Sequence, residues 1–453
     1  MKKHLLNTNA TVRIYLLTNE DIFLDYEENV EKLTESKMWK IGQYVTWKFS
    51  GTVFGTVIES VFKWLYQFRW KIIQFKNSGR YSKLLESILQ SHHTQTKGII
   101  IFPPTVDWNI ALFQRPHHLA RCLAKMGWFV FYCDSIYQRN IDGFKKLREN
   151  LYLTNQYELL RKKLENYTYI FSSTTPTISL KHVLDLKEKN CIVYDYIDDI
   201  DPAVTKHTEL ILKRHKTLLE KSDIVLATAD ILFSEVKKIR DDVYLLPNAA
   251  DYSHFHIEKK IESIPDKIKK IKQKGNHIVG YFGALASWID YDLIQYCASK
   301  RPDLEFVLIG PEYDKSFPKN KLIRNDNIHY LGVIPFSFLP KIAIWFDVCI
   351  LPFKINNVTQ ATNPIKLFEY MSLRKPIVST SVNEAKKYES VLIGGSYEEF
   401  LKKIELGFEL LHDEKYLSIL DKEAKENTWD KRANELSKLI EKTLIKKGWN
   451  AKE

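Results

Sequence analysis

Short apolar runs and longer segments with helical spacing alternate along most of this chain. From residue 97 onward, apolar runs such as Gly98–Phe102, Trp128–Cys133 and Cys191–Tyr194 are separated by stretches whose apolar residues recur every three or four positions. This alternation predicts strands and helices that form a parallel, doubly wound α/β sheet. The pattern restarts after a lysine-rich stretch, with apolar runs at His277–Phe282 and Glu305–Ile309. We therefore expect two α/β domains in succession.

Residues 1–95 lack this alternation and are predicted to be helical. Between residues 61 and 76 aromatic and aliphatic side chains recur at helical spacing, and residues 60–85 hold six basic residues and no acidic one. An apolar aromatic face with a cationic rim is typical of an amphipathic helix on an anionic membrane surface. A helical hairpin that packs its aromatics on the α/β domains would show the same pattern. We predict membrane binding through residues 61–76, with packing as the alternative.

Composition narrows the class of protein. The chain has 453 residues and a formal net charge of +11, so more than one core is expected and an anionic partner is favoured. Its five cysteines are scattered without a closely spaced pair, which is typical of reduced thiols in a cytoplasmic protein. No apolar run approaches the roughly 18 residues that a membrane-spanning helix needs. We expect no membrane-spanning segment.

The strongest chemical signal lies in residues 345–380. A predicted strand at Asp347–Leu351 runs into a polar loop, which opens a helix that carries Lys366 and Glu369, and the strand Pro376–Thr380 follows. In a parallel sheet this order places a cation, free backbone N–H groups and a carboxylate at the carboxyl ends of strands, where ligands bind. An ordinary strand–helix crossover with a solvated lysine and glutamate is the simpler interpretation.

Several further motifs occur in a fixed order around this block. They are LPNAADYSHF (Leu246–Phe255), GYFGALASWIDYDLI (Gly280–Ile294), FVLIGP (Phe306–Pro311), YLGVIPFSFLP (Tyr330–Pro340) and TWDKRANEL (Thr428–Leu436). Together with residues 345–380 they resemble the glycosyltransferases of the GT-B class, especially family 4. The segment Phe113–Asp134 further resembles bacterial polysaccharide glycosyltransferases of the teichuronic-acid type. A nucleic-acid binder would explain the positive charge but not the ordered motifs.

The resemblance implies an α/β fold of the GT-B type, with two Rossmann-like doubly wound parallel-sheet domains facing a cleft and a helical N-terminal extension. The predicted segments are the basic aromatic extension 1–95, the acceptor domain 96–258, a solvated linker 259–275, the donor domain 276–425 and a helix over 426–453 that crosses back to the acceptor domain.

The implied activity is transfer of a sugar from a nucleotide-sugar donor to a glycan or lipid-linked acceptor, for bacterial surface polysaccharide. The nucleotide-sugar would be a substrate, and no cofactor or metal is expected. We expect a cytoplasmic enzyme, peripheral on the inner face of the cell membrane. The alternatives are a GT-B sugar-nucleotide epimerase and a non-catalytic GT-B subunit that scaffolds a polysaccharide assembly complex.

The resemblance also assigns a donor site. Lys366 and the backbone at the first turn of its helix would neutralise the leaving diphosphate, and Glu369 would hold the ribose hydroxyls. The implied donor-binding residues are Gly283, Val333, Thr362, Asn363, Lys366 and Glu369. Gly283 is equally well interpreted as a turn glycine, and Val333 as part of a plain loop.

The sequence departs from the family at three places. Ala361 stands where the family has the first glutamate of an E-x7-E pattern, which contacts the donor sugar. The basic residues that usually follow the second-lobe glycine are absent from ALASWIDYD. The acidic run Tyr194–Asp199 replaces the first-lobe histidine.

The acidic run supplies the candidate catalytic residues, Asp195 first and Asp198 second. A carboxylate after a buried strand at the cleft edge is suited to deprotonate an acceptor hydroxyl as general base. The block also resembles the catalytic-aspartate region of membrane-associated exopolysaccharide glucuronosyltransferases. Capping of a following helix near Val204 by these aspartates is the alternative.

The loop and helix after the first predicted strand would bind the acceptor. The predicted acceptor-binding residues are Asp107, Trp108, Arg115 and His118. Arg115 near a helix N-terminus suits an anionic acceptor such as a lipid-linked diphosphate. The adjacent His117 and His118 have no further ligand at metal spacing, so no metal site is predicted.

Overall fold

The computed structural model describes residues 76–91, 96–110, 112–135, 141–173, 180–200, 208–257, 264–322 and 324–449. Residue contacts divide the chain into a smaller unit, with the described parts of Met1–His93, Cys133–Leu147 and Tyr152–Lys163, and a larger unit, with those of Thr94–Tyr132, Arg148–Leu151 and Leu164–Glu453. The predicted membrane segment 61–76 lies outside the described residues except for Lys76. No helix among the described residues is long and apolar enough to cross a membrane.

We number the elements in chain order. The strands are β1 (Ile99–Phe102), β2 (Phe129–Cys133), β3 (Phe144–Arg148), β4 (Leu151–Thr154), β5 (Thr168–Ser172), β6 (Cys191–Tyr196), β7 (Ile224–Ala227), β8 (Val243–Leu245), β9 (His277–Phe282), β10 (Leu304–Ile309), β11 (Ile328–Tyr330), β12 (Val348–Leu351), β13 (Ile377–Ser379) and β14 (Val391–Ile393). The helices are α1 (residues 76–91), α2 (Arg115–Lys125), α3 (Tyr157–Lys163), α4 (Leu180–Lys187), α5 (Thr208–Lys221), α6 (Asp230–Lys237), α7 (Tyr252–Phe255), α8 (Asp266–Lys272), α9 (Tyr291–Lys300), α10 (Lys319–Leu322), α11 (Leu339–Ala343), α12 (Asn357–Gln360), α13 (Ile365–Ser372), α14 (Tyr397–Glu409), α15 (Glu414–Glu426) and α16 (Trp429–Lys446).

In the smaller unit, α1 is fixed by its buried face. Tyr81 and Leu85 are buried, and the Tyr81 hydroxyl donates to the Asp142 carboxylate over 2.9 Å. The Thr154 hydroxyl donates to the Gly143 carbonyl oxygen over 2.6 Å, which ties β4 to the residue before β3. The strand β3 was not predicted, because its sequence FKKLR alternates only weakly and most of its side chains are exposed.

The larger unit contains two parallel sheets. In the first, neighbouring strands run in the order β2-β1-β5-β6-β7-β8. In the second, the order is β11-β10-β9-β12-β13-β14. Strands such as β5 and β10 are buried along their whole length, as expected where helices cover both faces of a parallel sheet. The two α/β sheets predicted from the apolar pattern are therefore both present.

The order of the strands positions the candidate site. In the second sheet β9 and β12 are neighbours, and the chain leaves the carboxyl end of β9 toward β10 but that of β12 toward β13, on the opposite side. A crevice opens at such a switch point, outside the carboxyl ends of the strands. Gly283 directly follows β9, and the loop that precedes α13 follows β12.

The helix α13 forms because its apolar residues share one face. Leu367, Phe368, Tyr370 and Met371 are buried, and the helix packs on α15 and on strands β12 and β13. It begins at Ile365, one residue after the predicted start at Pro364, because the proline occupies the N-cap position. Lys366 therefore lies in the first turn and Glu369 one turn later.

We call the part of the larger unit that holds the first sheet its first half, and the part that holds the second sheet its second half. The helix α16 packs against α2 of the first half. The Trp128 indole N–H donates to the Ser437 hydroxyl over 2.8 Å, and Lys97 pairs with Glu441 over 2.8 Å. The chain thus returns from the second sheet to the first.

The predicted solvated linker differs from the structure in its described part. Residues 266–272 form α8, and Ile268 and Ile271 are buried in the core of the second half. The lysine-rich composition concealed this helix, because its two isoleucines at i and i+3 suffice for one buried stripe. The described linker residues from 264 onward therefore form a helix that packs through its two isoleucines, while most of its other side chains are exposed, as predicted.

Candidate functional site

A cavity of about 630 Å³ opens within the larger unit at the carboxyl ends of both sheets. The first half contributes polar residues to its lining, and the second half contributes loop residues after β9, β10 and β12. The lining includes Arg115, Asp198, Asp199, Asn248, Gly283, Trp288, Tyr313, Phe353, Thr362, Asn363 and Lys366. Residues predicted for the donor, the catalytic and the acceptor sites thus meet in one cavity, although they lie up to 251 positions apart in the sequence, from Arg115 to Lys366.

Two glycines bring the ends of β9 and β10 close together. Gly283 has φ +153° and Gly310 has φ +143°, in the region that side chains disfavour. A β-carbon on Gly310 would lie 1.7 Å from the Gly283 carbonyl oxygen, and one on Gly283 would lie 2.7 Å from the Tyr281 hydroxyl. Gly283 is therefore more than a turn residue, because the packing around it admits only backbone. This leaves its backbone accessible from the cavity.

Lys366 and Glu369 form an ion pair over 2.8 Å. The Lys366 side chain lines the cavity and lies over the Phe282 ring at 5.2 Å from its centroid. Glu369 is 1% exposed, and its Oε2 accepts the hydrogen bond from Lys366 Nζ. A ligand that engages both residues has to draw the ammonium group toward the cavity and take its place at the carboxylate.

Asp195 is fully engaged by Arg115. The Arg115 Nε donates to one carboxylate oxygen over 2.8 Å and Nη2 donates to the other over 2.9 Å. Both side chains are buried, and Arg115 Nη1 also donates to the Pro247 carbonyl oxygen and to Asn248 Oδ1. This bidentate geometry leaves Asp195 poorly placed to take a proton from a substrate, and it gives Arg115 a partner other than an acceptor.

Asp198, the second candidate base, lies in a different environment from Asp195. Its residue lines the cavity, and burial raises the pKa of its carboxyl group to about 6. The nearby Thr362 hydroxyl opposes this rise when its single proton turns to Asp198 instead of to the Val358 carbonyl oxygen, which lies 2.8 Å away. The geometry therefore favours Asp198 over Asp195, the reverse of the order that we predicted.

A chain of hydrogen bonds connects the two halves beside the cavity. The Asn248 backbone N–H donates to Asn363 Oδ1 over 3.0 Å, and Asn248 Nδ2 donates to the Asn363 carbonyl oxygen over 2.7 Å. Asn363 Nδ2 donates to the buried Glu384 over 2.7 Å, and Glu384 accepts the Asp230 backbone N–H over 3.0 Å. The loop that precedes α13 is thus fixed to the first half on both sides.

The remaining predicted acceptor residues do not line this cavity. His118 is 2% exposed and stacks on Trp429 at 5.0 Å, and burial holds its pKa well below the usual value. Trp108 packs edge-on against Tyr132, and the Asp107 carbonyl oxygen lies 3.1 Å from His117 Nε2. These residues stabilise the loop after β1, and their acceptor role stays a prediction.

Val333 lines a smaller pocket that adjoins Gly283, Gly310 and Lys366. The donor residues named from the sequence therefore converge, apart from the buried Glu369. Among the described residues no group of three or more His, Cys, Asp or Glu side chains is arranged to hold a metal ion.

Sequence reasoning missed four residues that shape the site: Asn248, Glu384, Trp288 and Tyr313. Asn248 and Trp288 lie inside motifs that we quoted, but each contacts residues outside its own motif, so the sequence did not reveal their roles. Glu384 lies in a coil after β13 without any pattern to mark it. Its role is visible only from its contacts with Asn363 and Lys387.

Comparison with known proteins agrees with this geometry. Residues 276–406 match the family model described as Glycosyl transferases group 1. The glycosyltransferase TuaH of Bacillus subtilis (strain 168), which its name assigns to teichuronic acid biosynthesis, is 27% identical over 179 residues, or 38% of this chain and 44% of that protein. The chain therefore matches less than half the length of this curated relative.

Solved structures share the fold of the whole larger unit. Sucrose-phosphate synthase from Thermosynechococcus elongatus superposes with a TM-score of 0.59 at 14% identity, over 77% of this chain and 99% of that chain. HepE of Anabaena, solved with UDP-glucose, gives a TM-score of 0.54 at 15% identity, over 76% and 99%. The predicted GT-B fold and the resemblance to GT-B glycosyltransferases are confirmed.

Proposed function

We propose that this chain is a glycosyltransferase that moves a sugar from a UDP-sugar donor to a glycan or lipid-linked acceptor in bacterial surface polysaccharide synthesis. One observation carries the proposal. A single cavity is lined by Lys366 and Gly283 from the second half and by Asp198 from the first half. This places a cation for a leaving diphosphate opposite a base for an incoming hydroxyl.

The donor diphosphate is assigned to Lys366, the backbone at Gly283 and the N–H groups of the first turn of α13. A helix N-terminus and a cation stabilise the negative charge that develops as the diphosphate leaves, and no metal ion is required. Glu369 is assigned to the ribose hydroxyls once Lys366 has turned toward the phosphates. Val333 is assigned to the nucleobase, and Thr362 and Asn363 to the sugar end of the donor.

The transfer step is assigned to Asp198. An acceptor hydroxyl oxygen forms a bond to the anomeric carbon of the donor sugar, and the bond from that carbon to the UDP oxygen breaks. The hydroxyl proton passes to the Asp198 carboxylate, and the electron pair leaves with UDP beside Lys366. The pKa of about 6 leaves Asp198 mostly deprotonated at neutral pH and close enough to that pH to act as base.

The proposals for the acceptor class and the membrane location do not depend on the cavity, but on a sequence relative and on the basic aromatic segment. The similarity to TuaH favours a surface polysaccharide, and the basic aromatic segment 61–76 favours an acceptor presented at an anionic membrane surface. We propose that the enzyme works on the cytoplasmic face of the cell membrane.

Calorimetry with UDP tests the donor site. Lys366→Ala and Glu369→Ala should each weaken UDP binding by roughly 1.5–3 kcal/mol, the scale of a hydrogen bond to a charged group. Lys415→Ala, an exposed lysine on α15, is the matched control and should bind UDP like the wild type. Equal UDP affinity in the wild type and both site variants would remove the assignment.

A non-catalytic GT-B subunit is the second candidate, because Ala361 replaces a carboxylate of the family pattern and Glu369 is closed off by Lys366. Release of UDP from a UDP-sugar by the wild type would exclude this candidate. Nucleotide binding without any release of UDP would favour it.

A further inference from the structure

Three aromatic side chains from three different loops line the same cavity. Trp288 follows β9, Tyr313 follows β10 and Phe353 follows β12, all in the second half. We call these three residues the aromatic wall. They lie on the side of the cavity that also carries Gly283 and Lys366. The second half thus contributes three aromatic rings to the cavity that Gly283 and Lys366 also line.

Backbone hydrogen bonds hold the loops of the wall together. The Lys354 N–H donates to the Trp288 carbonyl oxygen over 2.8 Å, and Ile289 and Phe353 form an isolated β-bridge. The Leu285 N–H donates to the Pro311 carbonyl oxygen over 2.9 Å, and the Tyr313 N–H donates back to Leu285 over 3.0 Å. These hydrogen bonds tie the three loops that carry the wall to one another.

The rings themselves are oriented. The Trp288 and Tyr313 rings lie 5.5 Å apart at 52°, and the Trp288 side chain hydrogen-bonds to the Tyr281 hydroxyl. That hydroxyl in turn donates to the Ala284 carbonyl oxygen over 3.0 Å. Yet Tyr313 remains 65% exposed, so core packing does not account for its position. A rigid, oriented and open aromatic surface beside a polar cavity is typical of a ligand-binding surface.

The polar groups around the wall limit what it can bind. Residue 361 is an alanine, and residues 284–290 contain no basic side chain. Lys366 is paired with Glu369, and Arg115 with Asp195, whereas Asp198 and Asp199 add carboxylates to the same cavity. A second negative charge on the ligand, beyond the diphosphate, would face carboxylates without a cation to balance it.

We propose that the aromatic wall binds the ring of the donor sugar, and that this sugar is a neutral hexopyranose. A hexopyranose with mostly equatorial hydroxyls presents a face of C–H groups, which stacks on an indole or phenol ring. In this proposal ring stacking replaces the contact with the donor sugar that the family's glutamate makes at the position of Ala361. This inference rests on the proposed function, since it names the sugar class for that donor site.

The test compares UDP with UDP-sugars by calorimetry on the full chain. The probes are UDP, UDP-glucose, UDP-galactose, UDP-N-acetylglucosamine and UDP-glucuronate. The wild type should bind at least one neutral UDP-sugar more tightly than UDP-glucuronate. Trp288→Ala and Tyr313→Ala should each lose about tenfold in affinity for that sugar, the upper range for an aromatic contact, and change UDP affinity less than about twofold. Trp288→Phe should retain most of the affinity.

Tyr244→Ala is the matched control, because Tyr244 is an exposed tyrosine on β8 in the other half. It should bind every probe like the wild type. The inference is overturned if both alanine variants keep the wild-type preference for the UDP-sugar over UDP, or if UDP-glucuronate binds tightest. Failure of the proposed function has a different signature, namely a wild type that binds neither UDP nor any of its sugar conjugates, which refutes both.

Discussion

Replacement of Asp198 by asparagine tests the proposed base directly. Asparagine keeps the shape of the side chain and its hydrogen bond with Thr362, but it cannot accept the acceptor proton. General bases contribute about 10²- to 10⁴-fold, so turnover should fall by about a hundredfold or more while UDP affinity stays nearly unchanged. The assay is release of UDP from a UDP-sugar, with water or membrane-derived glycolipid as acceptor.

The change of kcat/KM with pH gives a second, independent test of Asp198 as the base. With the pKa of Asp198 raised to about 6 by burial, about 90% of the base is deprotonated at pH 7 and about 10% at pH 5. The wild-type kcat/KM should therefore fall about tenfold between these pH values, and the residual activity of Asp198→Asn should lack this step. The ordinary pKa of an aspartate would place the fall near pH 4 instead.

Protein stability separates loss of the base from loss of the fold. The raised pKa means that ionised Asp198 opposes folding above pH 6, and that this penalty disappears as the pH falls through 6 toward the unfolded value near 4. Asp198→Asn removes the penalty, so the variant should unfold at an equal or higher temperature than the wild type at pH 8. Asp199→Asn, at the neighbouring position, should keep turnover within about fivefold. An Asp198→Asn enzyme with wild-type turnover, or a wild-type profile that stays flat to pH 5, would refute the assignment.

Three other predictions concern the surroundings of the site. Asp195→Asn should lower the free energy of unfolding by about 3–5 kcal/mol in urea titrations, because it leaves the buried Arg115 without its counter-ion; an unchanged midpoint would contradict the pairing. Asn363→Ala should raise KM for the UDP-sugar and cost about 1–3 kcal/mol of stability through its lost hydrogen bonds, measured by steady-state kinetics and thermal unfolding. The full chain should float with anionic liposomes and hardly with neutral ones, whereas a variant without residues 1–75, which keeps the packed helix α1, should stay folded and float poorly; equal flotation of both would return the segment to a packing role.

The sequence predicted those parts of the site that depend on local order. Lys366 and Glu369 are three residues apart on one amphipathic helix, and a strand precedes that helix, so their place at the sheet edge follows from the chain itself. Gly283 was placed for the same reason, directly after β9. The two parallel sheets followed from the alternation of apolar runs.

The ranking of the two aspartates could not be predicted in the same way. We expected the strand to end at Tyr194, but β6 extends to Tyr196 because Asp195 pairs with Ser172 on one side and Leu226 on the other. Asp195 therefore lies inside the sheet, where Arg115, 80 residues earlier, compensates its charge. A contact between residues so far apart depends on the assembled fold, and no local pattern encodes it.

The packing of α16 has a consequence for the synthesis of the chain. This helix completes the surface of the first half, whose strands β1 to β8 lie between 184 and 347 residues earlier in the chain. While the second half is still emerging from the ribosome, the apolar face of α2 that α16 will cover remains open to water and to chaperones. The surface of the first half therefore stays incomplete until α16 has been synthesised. A nonsense codon or a proteolytic cut between Glu426 and Trp429 would keep every strand of both sheets but remove α16. The truncated protein would expose the apolar face of α2, and we expect it to aggregate or to be degraded.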